Sequence, residues 1–290
     1  MGNQTENKKE MSVLAHPWRT FVFEIFLFSL SLALGILASI RLNEIFKSLE
    51  ITPSRITIWQ FIIYFILVTL LLVLVVYFLK FRKGKKIFFK GMFLFTVAFG
   101  NLLFFGLWLP GILSFGLVIL LIILLLKINS LVIHNLVLIF AIAGVGSSLG
   151  LRLKPEMVIL LLLIFSVYDY IAVYKTKHMV KIAKEMVTQK AILGIVIPQE
   201  ISELQTRIKK VKPGGRFLVL GAGDIIFPLI LSSSLVPQSI SNSLIVALFS
   251  LIGLFFGFLI FISKKIRQPM PALPPIALFS IIGYLITKII

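Results

Sequence analysis

The stretches MVILLLLIFSVYDYIAVY (157–174) and FLVLGAGDIIFPLILSSSL (217–235) each carry one aspartate, Asp169 and Asp224, inside an otherwise apolar run. The chain has no other aspartate. A carboxylate in hydrocarbon is costly, so an acid within such a segment faces a protein interior and is a functional candidate by default. Two acids so placed point to a pair kept for chemistry.

The surrounding composition agrees. The 290 residues are 59% hydrophobic and the mean hydropathy is +1.07, which excludes an ordinary soluble domain and indicates a polytopic membrane protein. There is no cysteine, so disulfides, thiol nucleophiles and cysteine-ligated metals are excluded together. His16, His134 and His178 are the only histidines, and none stands in an HExxH pattern. The net charge of +18 comes from Lys and Arg clustered in short loops between apolar runs, the pattern of lipid-headgroup contact rather than nucleic-acid binding. The run Lys80 to Lys90 reads as a basic loop of this kind. Phe21 to Ile40 is longer than the core of a signal peptide and reads as a retained first helix.

A span needs about 20 apolar residues. Nine segments qualify, the expected fold being an all-α bundle of nine transmembrane helices: 20–40, 56–79, 87–108, 112–126, 131–150, 157–174, 217–235, 242–262 and 272–290. Residues 1–174 hold the first six, 175–216 form a loop, and 217–290 hold the last three. Thr52-Pro53-Ser54, Pro110-Gly111, Lys154-Pro155 and Pro213-Gly214-Gly215 punctuate the connections. Alternate loops beginning with the N-terminus carry 23 Lys and Arg against 6 on the other side. The N-terminus is therefore expected to be cytoplasmic and the C-terminus outside. Asp169 then lies six residues before Lys175 and Asp224 eight after Arg216, about 9 and 12 Å below the cytoplasmic rim on antiparallel helices. Both carboxyls can meet at one level.

Two adjacent carboxyls cannot both ionise cheaply, so they share a proton. The ionised member takes a proton from water while the neutral one polarises a carbonyl, as in aspartic proteases. Peptide hydrolysis by such a pair needs no metal, nucleophilic side chain or cofactor. The same acids could instead relay protons in a proton-coupled transporter or leak channel. Pro269, Pro271, Pro274 and Pro275 delay the ninth helix and remove N–H donors, so Pro271-Ala272-Leu273 offers an extended segment against which an unwound peptide could pair.

Tyr168-Asp169, Gly221-Ala222-Gly223-Asp224 and Pro271-Ala272-Leu273 resemble the YD, GxGD and PAL motifs of the presenilin/signal peptide peptidase family, in order and on the sixth, seventh and ninth spans. The string Val167 to Tyr174 with Lys175 to Met179 is most similar to archaeal presenilin homologues. The resemblance implies an intramembrane aspartic endopeptidase that cuts transmembrane helices of membrane-protein substrates within the lipid bilayer. It implies Asp169 and Asp224 as catalytic residues and Tyr168, Gly221, Ala222, Gly223, Pro271, Ala272 and Leu273 as substrate contacts. It further implies a multi-pass protein of an archaeal plasma membrane, and obligate partner subunits are not implied. The N-in orientation favours the presenilin branch.

Other residues have plainer readings. Tyr168 either packs near the dyad or is an interfacial aromatic. Gly146-Ser147-Ser148 suggests a serine nucleophile, but no histidine is placed to serve it. Gly146 with Gly150, and Gly253 with Gly257, have the small-xxx-small spacing of close helix packing. Asn101 is expected to hydrogen-bond between helices. Glu24 is expected to snorkel or meet Arg19. The apolar insert Ala191 to Pro198 could be a plug, a gate or a surface segment.

Overall fold

The computed structural model describes residues 17–51, 56–57, 59–64, 66–67, 70–71, 82–176, 186–188, 191–200, 203, 208, 217–263 and 270–289. Eight helices and one hairpin are defined within them: α1 (Pro17–Ser48), α2 (Arg82–Phe105), α3 (Gly111–Ile128), α4 (Leu131–Gly150), α5 (Pro155–Tyr170), β1 (Gly194–Pro198), β2 (Phe217–Gly221), α6 (Ala222–Leu235), α7 (Ile240–Ser263) and α8 (Leu273–Thr287). Residues 59–64, within the expected second span, are also helical. Residues 58, 65, 68–69 and 72–79 of that span, Thr52-Pro53-Ser54, His16, His178, Pro213 to Arg216 and the basic run ending at Pro269 lie outside the described residues. Five helices are long and apolar enough to cross a membrane, namely α1, α3, α4, α7 and α5 with its extension to Lys175. This is a mostly helical, multi-pass architecture.

Sequence explains most boundaries. Asn129, in the left-handed region at φ 54°, ends α3, and Ser130 starts α4 by accepting the Ile133 N–H at 3.3 Å. Pro155 opens α5 at a position that needs no N–H. Helix α2 begins at Arg82, so the run expected as a basic loop is helical from there. Lys and Arg are good helix formers and extend the helix toward the headgroups.

The larger correction concerns the seventh span. Its first five residues form β2, which pairs antiparallel with β1, Ile195 opposite Leu220 and Ile197 opposite Leu218. Helix α6 has only 14 residues, about 21 Å, against a hydrocarbon core of about 30 Å. The strand supplies the remaining length.

A strand within a membrane protein must satisfy both edges. Val196 gives its N–H to Asn135 Oδ1 at 2.9 Å and accepts from Asn135 Nδ2 at 2.8 Å. His134 Nε2 stands 3.2 Å from the Gly194 carbonyl, which can only accept, so Nε2 carries the proton. Gly194 and Val196 thus turn their polar groups toward α4, while Ile195 and Ile197 turn theirs toward β2. The Ala222 N–H donating to Leu193 O at 3.2 Å continues the same parity. Every residue of β1 is buried. The insert whose role the sequence left open is an internal strand.

The core gathers around α6, where Ile225 and Leu229 meet Phe28, Leu32 and Ile36 of α1, Ile139 and Ile142 of α4, and Ile276 of α8. Glycines set the spacing. A Cβ at Gly146 would stand 2.8 Å from Leu229 Cγ, and one at Gly35 would overlap the same side chain. A Cβ at Gly150 would be 2.9 Å from Ile230 O, and one at Gly253 would be 2.7 Å from Ile276 Cα. Both small-residue pairs therefore do pack closely, α4 on α6 and α7 on α8. Lipid tails match these side chains in polarity, so packing rather than water exclusion holds the helices together. Asn101 Nδ2 reaches Val137 O on α4 at 2.9 Å, the interhelical bond expected of it.

Asn135→Leu keeps volume but strands two buried backbone groups of Val196. We expect a loss of about 3 kcal/mol of stability, read as a lowered thermal midpoint in detergent, and an unchanged midpoint would contradict the clamp.

Candidate active site

Asp224 owes its position to a helix start. Gly221 is the N-cap of α6, so Gly221, Ala222, Gly223 and Asp224 occupy N-cap, N1, N2 and N3. An acidic N3 side chain can fold back to the N-cap N–H, and the Asp224 carboxyl does face the Gly221 backbone N–H. A Cβ at Gly221 would stand 3.0 Å from Asp224 Oδ2, whereas one at Gly223 would meet only Phe227, at 3.9 Å. The first glycine of the motif makes room for the carboxyl itself. Gly223 is exposed and Ala222 half-buried.

Asp169 lies in the last turn of α5, two residues before the π-helical segment Ile171–Lys175. Such π segments locally widen a helix and recur at functional sites. Its carboxyl faces the backbone N–H of Leu273. Leu273 is the first residue of α8, with Pro274 and Pro275 following. Those prolines have no N–H, so the donors free at this helix end are few and Leu273 is the one aimed at the acid. Leu273 is buried among Leu162, Ile230, Leu231 and Ala277, and Pro271 is buried beside the half-buried Ala272.

The two carboxyls are close enough to interact electrostatically, and both side chains are only partly buried. Asp169, Asp224, Gly221 and Leu273 are thus brought together at three helix ends. Tyr168 is not among them. It is 49% exposed and points roughly 100° around α5 from Asp169, as an interfacial aromatic would.

Glu24 corrects the expectation of snorkelling. It is 5% exposed, on the buried stripe of α1 with Phe21 and Phe28, and interacts electrostatically with Asp224. Arg19 instead lines a cavity with Trp18, Gln199 and Glu200. The signals that could have revealed these residues were an acid inside the first apolar run and the polar pair His134-Asn135 inside the fifth. The serine alternative fails on geometry. Ser147 Oγ donates to Gly144 O at 3.0 Å, and His134, thirteen residues earlier on α4 and about 20 Å away along the axis, is engaged by Gly194.

The family model described as signal-peptide peptidase, presenilin aspartyl protease matches residues 23–290. Two solved structures, each described as a presenilin family intramembrane aspartate protease, are similar in fold. The one in space group C222 has a TM-score of 0.58 at 22% identity, covering 91% of this chain and 97% of that one. The one in space group P2 has a TM-score of 0.59 at 23% identity, covering 90% and 96%. No curated protein matches the sequence. Nothing in these likenesses supports the transporter reading. The chain belongs to the signal-peptide peptidase and presenilin family of aspartyl proteases, and is an intramembrane aspartic endopeptidase.

Proposed function

We propose that Asp169 and Asp224 hydrolyse peptide bonds of transmembrane helices by shared general acid–base catalysis. The observation that carries this reading is the electrostatic proximity of the two carboxyls, each against a backbone N–H at the start of a helix. The ionised aspartate removes a proton from water as its oxygen attacks the scissile carbonyl carbon. The protonated aspartate donates to the carbonyl oxygen, giving a tetrahedral diol. Collapse of the diol breaks the C–N bond: one hydroxyl returns its proton to the ionised aspartate as the carbonyl re-forms, the protonated aspartate gives its proton to the leaving amine, and the pair is again singly ionised. Nine spans, with the N-terminus cytoplasmic and the site open to that side, fit the charge pattern of the loops.

A helical peptide bond is shielded by its own turn, so the substrate must be extended at the site. Val219 and Gly221 of β2 turn their backbone groups away from β1, by the parity fixed at Gly194 and Val196. Gly221 directs its N–H at Asp224, so the free edge of β2 runs straight to the catalytic carboxyl. An extended substrate segment pairs with Val219 there, in the manner of strand addition, with Pro271, Ala272 and Leu273 against the Asp169 side. Ala222 and Gly223 line the substrate path beside Asp224, and the substrate enters laterally near α5 and α8.

Three substitution sets test this with a transmembrane peptide in liposomes. Asp169→Asn and Asp224→Asn should each reduce cleavage about a thousandfold or more with the fold retained, and undiminished cleavage by either would refute the assignment. Gly221→Ala pushes on Asp224 Oδ2 and should lower kcat about tenfold, since errors of an ångström cost about a hundredfold. Gly223→Ala should act on KM instead. Val219→Pro removes an N–H that β1 does not use, so cleavage should fall about tenfold with little loss of stability. Leu220→Pro should unfold the hairpin. Equal effects of the two prolines would exclude pairing at the β2 edge.

A further inference from the structure

A third carboxyl lies within electrostatic range of Asp224. Gly35 packs on Leu229, and Ser39 Oγ bonds Ser233 Oγ at 2.8 Å, an offset of 194 positions. The same offset relates Gly35 to Leu229, so α1 and α6 run parallel in fixed register. Asp224 is then level with Leu30, and Glu24 lies six residues, about 9 Å, toward the β2 end. Asp224 folds back toward that end to meet Gly221. Glu24 and Asp224 accordingly interact. Glu24 Oε2 is buried and has no hydrogen-bond partner among the described residues.

Among the described residues the surroundings leave few competing charges. Helix α6 contributes Asp224 and α5 contributes Asp169. On α1 itself Arg19 lines the cavity of Gln199 and Glu200. The one histidine of α4 is bonded to Gly194, the hairpin strands are apolar, and α7 and α8 contain no Asp, Glu, Lys or Arg. The described ion pair in this chain, Arg41 with Glu44, is a surface contact elsewhere on α1. A buried carboxyl oxygen without a partner lowers stability relative to an apolar isostere. Oε2 of Glu24 carries that cost among the described residues.

We propose that Glu24 is a third carboxyl of the active centre, a positioning residue whose buried acid group beside Asp224 keeps the catalytic pair singly ionised. The inference rests on reading Asp169 and Asp224 as that pair. Three neighbouring carboxyls release their protons in successive steps that belong to the group. With Glu24 present, the second ionisation of the pair must be made beside another acid, and the active singly ionised form persists to higher pH.

The test is cleavage of a transmembrane peptide by the full chain across pH, with Glu24→Gln, Glu24→Met, Glu24→Asp and Asp224→Asn. Glu24→Gln and Glu24→Met should keep the wild-type thermal midpoint or raise it. Their alkaline limb of kcat/KM should move about one pH unit lower, about a tenfold loss at a fixed alkaline pH. Glu24→Asp, which keeps an acid, should restore most of the wild-type profile. Profiles of Glu24→Gln and Glu24→Met that superimpose on wild type, with Asp224→Asn inactive, would overturn the proposal and leave the catalytic pair standing. A lowered midpoint for Glu24→Met would also overturn it, by showing a structural role. Activity in Asp224→Asn would instead remove the reading on which it rests.

Discussion

The Asn135 amide, closed on both backbone groups of Val196, is the contact on which the candidate site depends. A backbone segment that leaves the helix inside a membrane protein loses its internal partners, and lipid offers none. The carboxamide is the one neutral side chain that both donates and accepts in the geometry of a peptide, so it can stand in for a missing strand. With that edge closed by α4, β1 has its other edge for β2, and β2 ends at Gly221. The position of Asp224 follows from where a strand stops and a helix begins. Polar satisfaction on one side of a two-stranded sheet thus fixes a carboxyl on the other.

Both aspartates use the same device. Each stands against a backbone N–H at the first turn of a helix, α6 for Asp224 and α8 for Asp169. A helix N-terminus has unpaired donors and a partial positive charge, which suits an acid that must alternate between charged and neutral forms. Backbone donors cost little to hold in place, because glycine-mediated packing already fixes the helices. Gly253 lets Pro275 and Ile276 sit against α7, and that contact sets the height at which Leu273 meets Asp169. Preorganised donors of this kind need no rearrangement when charge develops.

Much of this was legible in the sequence, and the parts that were not share a cause. Asp169 and Asp224 stood out because an acid in an apolar run is rare and expensive, and both lie on helices, α5 and α6, while Leu273 opens α8. Gly146 with Gly150, Gly253 with Gly257, and Asn101 announced helix contacts through spacing and polarity. Residues 217–221 did not announce a strand, since Phe-Leu-Val-Leu-Gly is apolar throughout and gives no period by which to tell strand from helix. The decision was made by Asn135, 61 positions from Val196, and by the helix start at Ala222. Glu24 was misread because an acid eight residues into a helix can reach the interface. Whether it does depends on which face meets α6, and a sequence without a partner helix in view does not specify that.

The free edge of β2 also bears on selectivity. Unwinding a helix in the bilayer strands a donor and an acceptor for each residue released, and each uncompensated group costs several kcal/mol. Only where another backbone offers partners does that cost fall. On the proposed pairing, Val219 offers them close to Asp224, so unwinding is favoured there and resisted elsewhere along the substrate. The best substrates are then those whose helix is already weak at that depth, through glycine, proline or β-branched residues. Selection would act on the ease of local unwinding more than on side-chain identity, because a strand edge reads backbone. A site built from helix ends and a strand edge can therefore be broad in sequence yet narrow in position.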